Sequence, residues 1–72
     1  MAIINGTNGN DTILPAFISA GVSGGFPTPA ADTINGFDGN DNINGGGGDD
    51  TINGGNGDDA LNGGSGNDTI NG

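Results

Sequence analysis

Residues 36–71 read GFDGNDNIN, GGGGDDTIN, GGNGDDALN and GGSGNDTIN, four nonapeptides in direct succession without a slip in frame. Position one is Gly (Gly36, Gly45, Gly54, Gly63) and position four is Gly (Gly39, Gly48, Gly57, Gly66). Position six is Asp (Asp41, Asp50, Asp59, Asp68), and position eight is aliphatic (Ile43, Ile52, Leu61, Ile70). An earlier copy begins at Gly6 and places Gly9, Asp11 and Ile13 in the same frame. A fixed short period marks stacked repeats, because one such unit cannot bury its own apolar face. Positions seven to nine, as in Thr51-Ile52-Asn53, alternate polar, apolar, polar: a minimal strand with one side chain turned inward. The glycines at positions one, two and four let the backbone turn sharply with its carbonyls gathered inward. The pattern predicts an all-β parallel roll, or solenoid, of GGxGxDxUx units (U aliphatic), with two repeats per coil. Each residue then lies over the one 18 positions on, at the roughly 4.8 Å spacing of parallel strands. Asp41 is placed over Asp59, and Asp50 over Asp68.

The rest of the chain divides around this frame. Residues 1–14 hold a short apolar lead and the first repeat. Residues 15–26 form an irregular insertion of twelve residues that fits no multiple of nine. Residues 27–35 are a degenerate repeat, which keeps Asp32 and Ile34 but has lost its glycines. Helix is not expected anywhere, since 18 Gly and 3 Pro disfavour it and no 3.6-residue apolar period appears. The N-terminus lacks the basic start and long apolar run of a cleavable secretory signal. The apolar stretches Ile13-Leu14 and Ala16-Phe17-Ile18 fall far short of the roughly 20 residues of a membrane-spanning helix. Gly72 is the first residue of a further frame, so the chain is expected to be a piece of a longer parent protein.

Charge narrows the possible partners. The chain has nine acidic residues, all Asp, with no Lys, Arg or His, and a net charge of −9. Nothing on it can neutralise phosphates, so nucleic acid is not an expected partner, and neither is an anionic membrane surface. Cys is absent, so no disulfide staples a chain small enough to need one. Without His, Lys, Cys, Tyr or Glu there is no ordinary base for Ser19, Ser23 or Ser65, and no enzyme activity is expected.

Stacking creates an electrostatic problem. Two carboxylates about 5 Å apart repel by roughly 3–4 kcal/mol at an effective dielectric near 20. Ordering a glycine-rich frame costs more than its few aliphatic side chains return, so the metal-free chain is expected to be largely disordered. A divalent ion between stacked loops reverses the sign of the carboxylate interaction. Carboxylates and backbone carbonyls are hard oxygen donors, and no thiolate or imidazole is present, which excludes zinc, copper and iron–sulfur sites. Flexible oxygen-rich sites favour Ca²⁺ over Mg²⁺. Asp38-Gly39-Asn40-Asp41-Asn42 begins like an EF-hand loop, but Ile43 stands where that loop needs Gly, and no Glu closes it. A phosphate loop fails for want of its glycine spacing and its Lys.

The nonapeptides resemble those of the RTX (repeats-in-toxin, haemolysin-type) calcium-binding proteins, over residues 6–14 and 36–71 and in part over 27–35. The resemblance implies a parallel β-roll with Ca²⁺ held between loops two repeats apart. One site would use the carbonyls of Phe37 and Gly39 with Asp41, and those of Gly54 and Asn56 with Asp59. A second would use Gly46, Gly48 and Asp50 with Gly63, Ser65 and Asp68. Two additional sites would involve Asp32 and Asp11. One joins Thr28, Ala30 and Asp32 to Gly45, Gly47 and Asp50, with Ala30 replacing a turn-making Gly. The other places Thr7, Gly9 and Asp11 over Gly36, Asp38 and Asp41, provided residues 15–26 loop out. The family also implies a secreted, extracellular bacterial protein that folds on binding Ca²⁺.

Other residues have plainer readings. Asp38, Asp49 and Asp58 read as solvated charge, and the position-nine Asn as a structural ladder or turn former. Phe17, Ile18 and Phe26 read as part of an end cap or an irregular loop. A function of a different class, an adhesive or ice-binding solenoid, would use an outward Thr row. Thr12, Thr33, Thr51 and Thr69 offer one, interrupted by Asn42 and Ala60.

Overall fold

The computed structural model describes residues 2–72, which form eight short strands. These are β1 (Ile3–Asn5), β2 (Thr12–Leu14), β3 (Phe17–Ile18), β4 (Thr33–Asn35), β5 (Asn42–Asn44), β6 (Thr51–Asn53), β7 (Ala60–Asn62) and β8 (Thr69–Asn71). No helix occurs among the described residues. The strands form two four-stranded sheets, ordered β1-β4-β6-β8 and β3-β2-β5-β7, and apart from β3, which follows β2 in the same sheet, successive strands alternate between them. Every repeat-to-repeat pairing is parallel, as expected of a roll with two repeats per coil. Thr51 pairs with Thr69 and Ile43 with Leu61, 18 residues apart. Between the first and second coils the offset is 30, as in Ile4 with Ile34 and Ile13 with Ile43. The additional twelve residues are the insertion.

The core is the row of position-eight side chains. Ile4, Ile13, Ile34, Ile43 and Ile52 are fully buried between the sheets, with Ala2, Ile18, Val22 and Leu61 packed against them. Burial fades along the roll: Leu61 is half-buried, and Ile70 is 45% exposed.

The insertion closes the first coil. β3 pairs antiparallel with β2 through Ile13–Ile18 and Leu14–Phe17, covering one sheet edge. Ser23 covers the other, exchanging both backbone hydrogen bonds with Asn5 at 2.9 Å. Antiparallel capping of this kind satisfies edge groups that would otherwise face water or a second chain.

The position-nine Asn has two roles, sorted by sheet. In the first sheet the side-chain amides form a ladder, Asn71 donating to Asn53, Asn53 to Asn35 and Asn35 to Asn5, at 2.9–3.0 Å. In the second sheet Asn44 and Asn62 instead accept the backbone N–H of Gly46 and Gly64 and start the next turn.

Candidate metal centre

The loops between strands stack along the two edges of the roll, and the position-six Asp forms an inner ladder in each stack. The Oδ1 of Asp41 accepts the N–H of Asp11, and that of Asp59 accepts the N–H of Asp41, both at 2.8 Å. On the other edge Asp50 accepts from Asp32 at 2.9 Å, and Asp68 from Asp50 at 2.8 Å. One oxygen of each of these carboxylates is thus committed to the stack. Asp11, Asp32, Asp41 and Asp50 are all buried.

The second oxygen separates the loops into two kinds. Asp41 Oδ2, Asp50 Oδ2 and Asp59 Oδ2 are buried without a hydrogen-bond partner. A buried ionised oxygen with no donor carries a large desolvation cost and calls for a cation. Asp11 and Asp32 differ, because the N–H of Thr7 and of Thr28 donates to their Oδ2, each at 2.7 Å.

Position two sets this difference through backbone conformation. Phe37, Gly46, Gly55 and Gly64 all have positive φ, between 65° and 81°. That turns their N–H away from the Asp of their own loop and their carbonyls towards the next. The Phe37 and Gly39 carbonyls abut Gly55 and Gly57, and those of Gly46 and Gly48 abut Gly64 and Gly66. From the opposite side, the Gly54 carbonyl approaches Gly36. Beside Gly36 the Asp41 carboxylate and the Gly54 carbonyl thus approach one point, and oxygen-only donors of this kind suit a hard cation.

Position one is glycine for a different reason, which the sequence did not reveal. Gly36 has no positive φ, but a Cβ there would lie 2.6 Å from Asp41 Oδ2 and 2.8 Å from the Gly54 carbonyl. The residue is kept small so that the loop wraps closely around its carboxylate.

Phe37 is the one non-glycine with positive φ among the described residues, at 65°, and its ring is half exposed. A left-handed aromatic residue costs about 1–3 kcal/mol. Phe37→Gly is therefore expected to stabilise the folded form and to lower the cation concentration needed to fold it. A titration midpoint unchanged from the parent chain would show that Phe37 is unstrained.

Burial pushes the Asp41 and Asp50 carboxyls above the usual 3.8, and the carboxylates above and below add repulsion, against partial relief from the N–H of Asp11 and Asp32. Burial acts on Asp32 as well, but the N–H and hydroxyl of Thr28 and the N–H of Ala2 outweigh it and hold that carboxyl below 3.8. The signs fix a pH dependence for the metal-free fold. The contribution of Asp41 and Asp50 is complete below 3.8 and is lost as pH rises through their raised native values. The contribution of Asp32 is present above 3.8 and is lost as pH falls through its lowered value. Metal-free β structure is expected to be greatest near pH 3.8 and to decline towards neutrality, as read by circular dichroism after chelation. A β signal that rises steadily to pH 7 would contradict this balance.

The structure thus stacks Phe37, Gly39 and Asp41 on Gly55, Gly57 and Asp59, with Gly54 and Asn56 in the same facing loop, and Gly46, Gly48 and Asp50 on Gly64, Gly66 and Asp68, with Gly63 and Ser65 in theirs. Asp11 and Asp32 stand at the head of the same two stacks. Asp38 and Asp49 are exposed, yet each supports stacking: Asp38 accepts the Asn56 side-chain N–H and Asp49 the Asn67 backbone N–H. Among the described residues no three acidic side chains cluster, so carbonyls must supply most of any coordination shell. No cavity opens among those residues, and no helix there is long and apolar enough to cross a membrane.

The model of one sequence family, the RTX calcium-binding nonapeptide repeat (4 copies), matches residues 3–14, 29–52 and 35–70. No curated protein and no solved structure gives a significant match.

Proposed function

The chain belongs to the RTX calcium-binding nonapeptide repeat family, whose repeats bind Ca²⁺, and on that premise we propose a module that folds on binding Ca²⁺ and acts by binding rather than catalysis. The observation that carries this reading is the set of partnerless buried oxygens on Asp41, Asp50 and Asp59. One ion is assigned to the carbonyls of Phe37 and Gly39 with Asp41, facing the carbonyls of Gly54 and Asn56 with Asp59. A second is assigned to Gly46, Gly48 and Asp50, facing Gly63, Ser65 and Asp68. In each site two stacked carboxylates that repel one another share a divalent charge, and the largest obstacle to stacking becomes its main support.

Coupled binding and folding gives the module a use. Extracellular Ca²⁺ modules bind at about 10⁻⁴–10⁻³ M, so a chain with these sites stays unfolded where calcium is scarce and folds where it is plentiful. That suits a segment of a secreted, extracellular bacterial protein. The test is a CaCl₂ titration followed by far-ultraviolet circular dichroism, with MgCl₂ at matched ionic strength. A cooperative gain of β signal in Ca²⁺ alone supports the reading. No gain up to about 10 mM, well above the extracellular-module range, refutes it.

One observation favours a second reading. Asn42 and Ala60, which break the Thr row in the sequence, both lie in the second sheet, where they pair with each other. In the first sheet Thr33, Thr51 and Thr69 stack without a break beside the Asn ladder. That outward face is regular enough for an adhesive or ice-binding role of the calcium-folded roll. Thermal hysteresis of the Ca²⁺-loaded chain tests it, and freezing behaviour equal to that of an unrelated acidic protein sinks it.

A further inference from the structure

The two loops of the first coil resemble each other closely in geometry but hardly at all in sequence. Residues 6–11 read GTNGND and residues 27–32 read PTPAAD, sharing only Thr at position two and Asp at position six. In both, the Thr N–H donates to Asp Oδ2 at 2.7 Å. In both, the Thr hydroxyl donates to Asp Oδ1, at 2.9 Å from Thr7 and 2.8 Å from Thr28. The same hydroxyl accepts the position-four N–H, from Gly9 or Ala30, at 3.1 Å. Thr and Asp alone therefore suffice to build this closed loop.

We propose that Thr7 and Thr28 replace calcium in the first coil, so that residues 2–35 close without an ion and the chain holds two Ca²⁺ rather than four. The inference rests on the calcium reading above and goes beyond it, because it makes position two the residue that decides which loops take an ion.

Three observations converge on it. First, Thr directs an N–H and a hydroxyl at the carboxylate, whereas the loops with positive φ at position two leave Asp41, Asp50 and Asp59 with a bare oxygen. A β-branched residue resists positive φ, so Thr holds the N–H inward. Second, the Thr28 carbonyl stands back from the loop below it. It lies 3.8 Å from where a Cβ on Gly46 would sit, while the Gly46 carbonyl abuts Gly64 in the equivalent place one coil on. The Thr28 loop thus sets its position-two carbonyl back, although its position-four carbonyl, that of Ala30, still abuts Gly48. Third, the sheet edges of the same coil are covered by Phe17–Ile18 and by Ser23. Its loop acids and part of its backbone edges are thus satisfied from within the chain, which removes the need for an ion at that coil.

Residues 6–11 allow a single-substitution test, because Thr7→Gly restores the complete Gly-Gly-x-Gly-x-Asp frame. Bound Ca²⁺ per chain would be counted by equilibrium dialysis with metal analysis, on the full 72-residue chain and on its Thr7→Gly and Thr7→Ser variants. The expected counts are two for the parent, three for Thr7→Gly and two for Thr7→Ser, which retains the hydroxyl. A parent chain holding three or four ions overturns the proposal and leaves the calcium reading standing. So does a Thr7→Gly chain that folds in calcium and still holds two. If Thr7→Gly does not fold, the parent count decides, two upholding the proposal and more than two overturning it. A parent chain that holds no calcium overturns the calcium reading and the proposal with it.

Discussion

A chain carrying both Asp41→Asn and Asp50→Asn is expected to lose its calcium response and to gain β structure without metal. Asn keeps an oxygen that can accept the N–H of Asp11 or Asp32, so the inner ladder survives. It places a neutral amide where Asp41 and Asp50 now bury a partnerless oxygen. The substitutions remove repulsion from Asp11 and Asp59 around Asp41, and from Asp32, Asp68 and Asp49 around Asp50. At roughly 3–4 kcal/mol for a pair about 5 Å apart, this relief favours the metal-free fold by several kcal/mol. The same change takes one of two carboxylates from each proposed site. Extracellular modules bind at about 10⁻⁴–10⁻³ M, so a tenfold loss per site carries binding to the edge of a titration ending near 10 mM. Circular dichroism with and without CaCl₂ reads both effects. If the double variant still responds at the parent concentration, the position-six Asp are turn formers rather than ligands.

Ile43→Ala is expected to raise the calcium concentration at half-folding by about tenfold. Ile43 is fully buried and lies between Ile13 and Leu61 in its sheet. Truncating a buried Ile costs about 2–5 kcal/mol, from a core with only five fully buried side chains. Where folding requires two ions, that cost is met by raising ion concentration. About 3 kcal/mol spread over two ions is close to tenfold in each, since roughly 1.4 kcal/mol is one decade. Core and metal sites share no atom here, so the shift arises only if folding and binding are one transition. A midpoint unmoved by Ile43→Ala would mean that calcium binds a roll already folded.

The repeat gave both the roll and its register. With Ile at position eight and Asp at position six, a period of nine puts every second repeat on one sheet and every inner carboxylate over another. Pairing of Ile43 with Leu61 and of Asp41 with Asp59 follows from that arithmetic. The oxygen donor set was also legible, because the repeats carry no Cys, His or Met. A Gly at position one reads as a turn former, but Gly36 is needed for its missing Cβ against Asp41.

Other features depended on where the chain travels. The insertion reads as a break in the frame, yet it covers both sheet edges, because Phe17–Ile18 and Ser23 fold back antiparallel onto β2 and Asn5. Asn42 and Ala60 look like interruptions of one row, but they lie with Thr12 in the second sheet, apart from Thr33, Thr51 and Thr69. Asp11 and Asp41 occupy the same position of the frame, but the Thr7 N–H donates to Asp11 Oδ2 while Asp41 Oδ2, behind the positive-φ Phe37, has no partner. By itself the sequence determined which residue types recur and at what interval, since periodic patterning acts through the regular geometry of strands and turns. Which polar atom finds a partner was decided only in the folded chain, because satisfaction is a property of individual atoms in space.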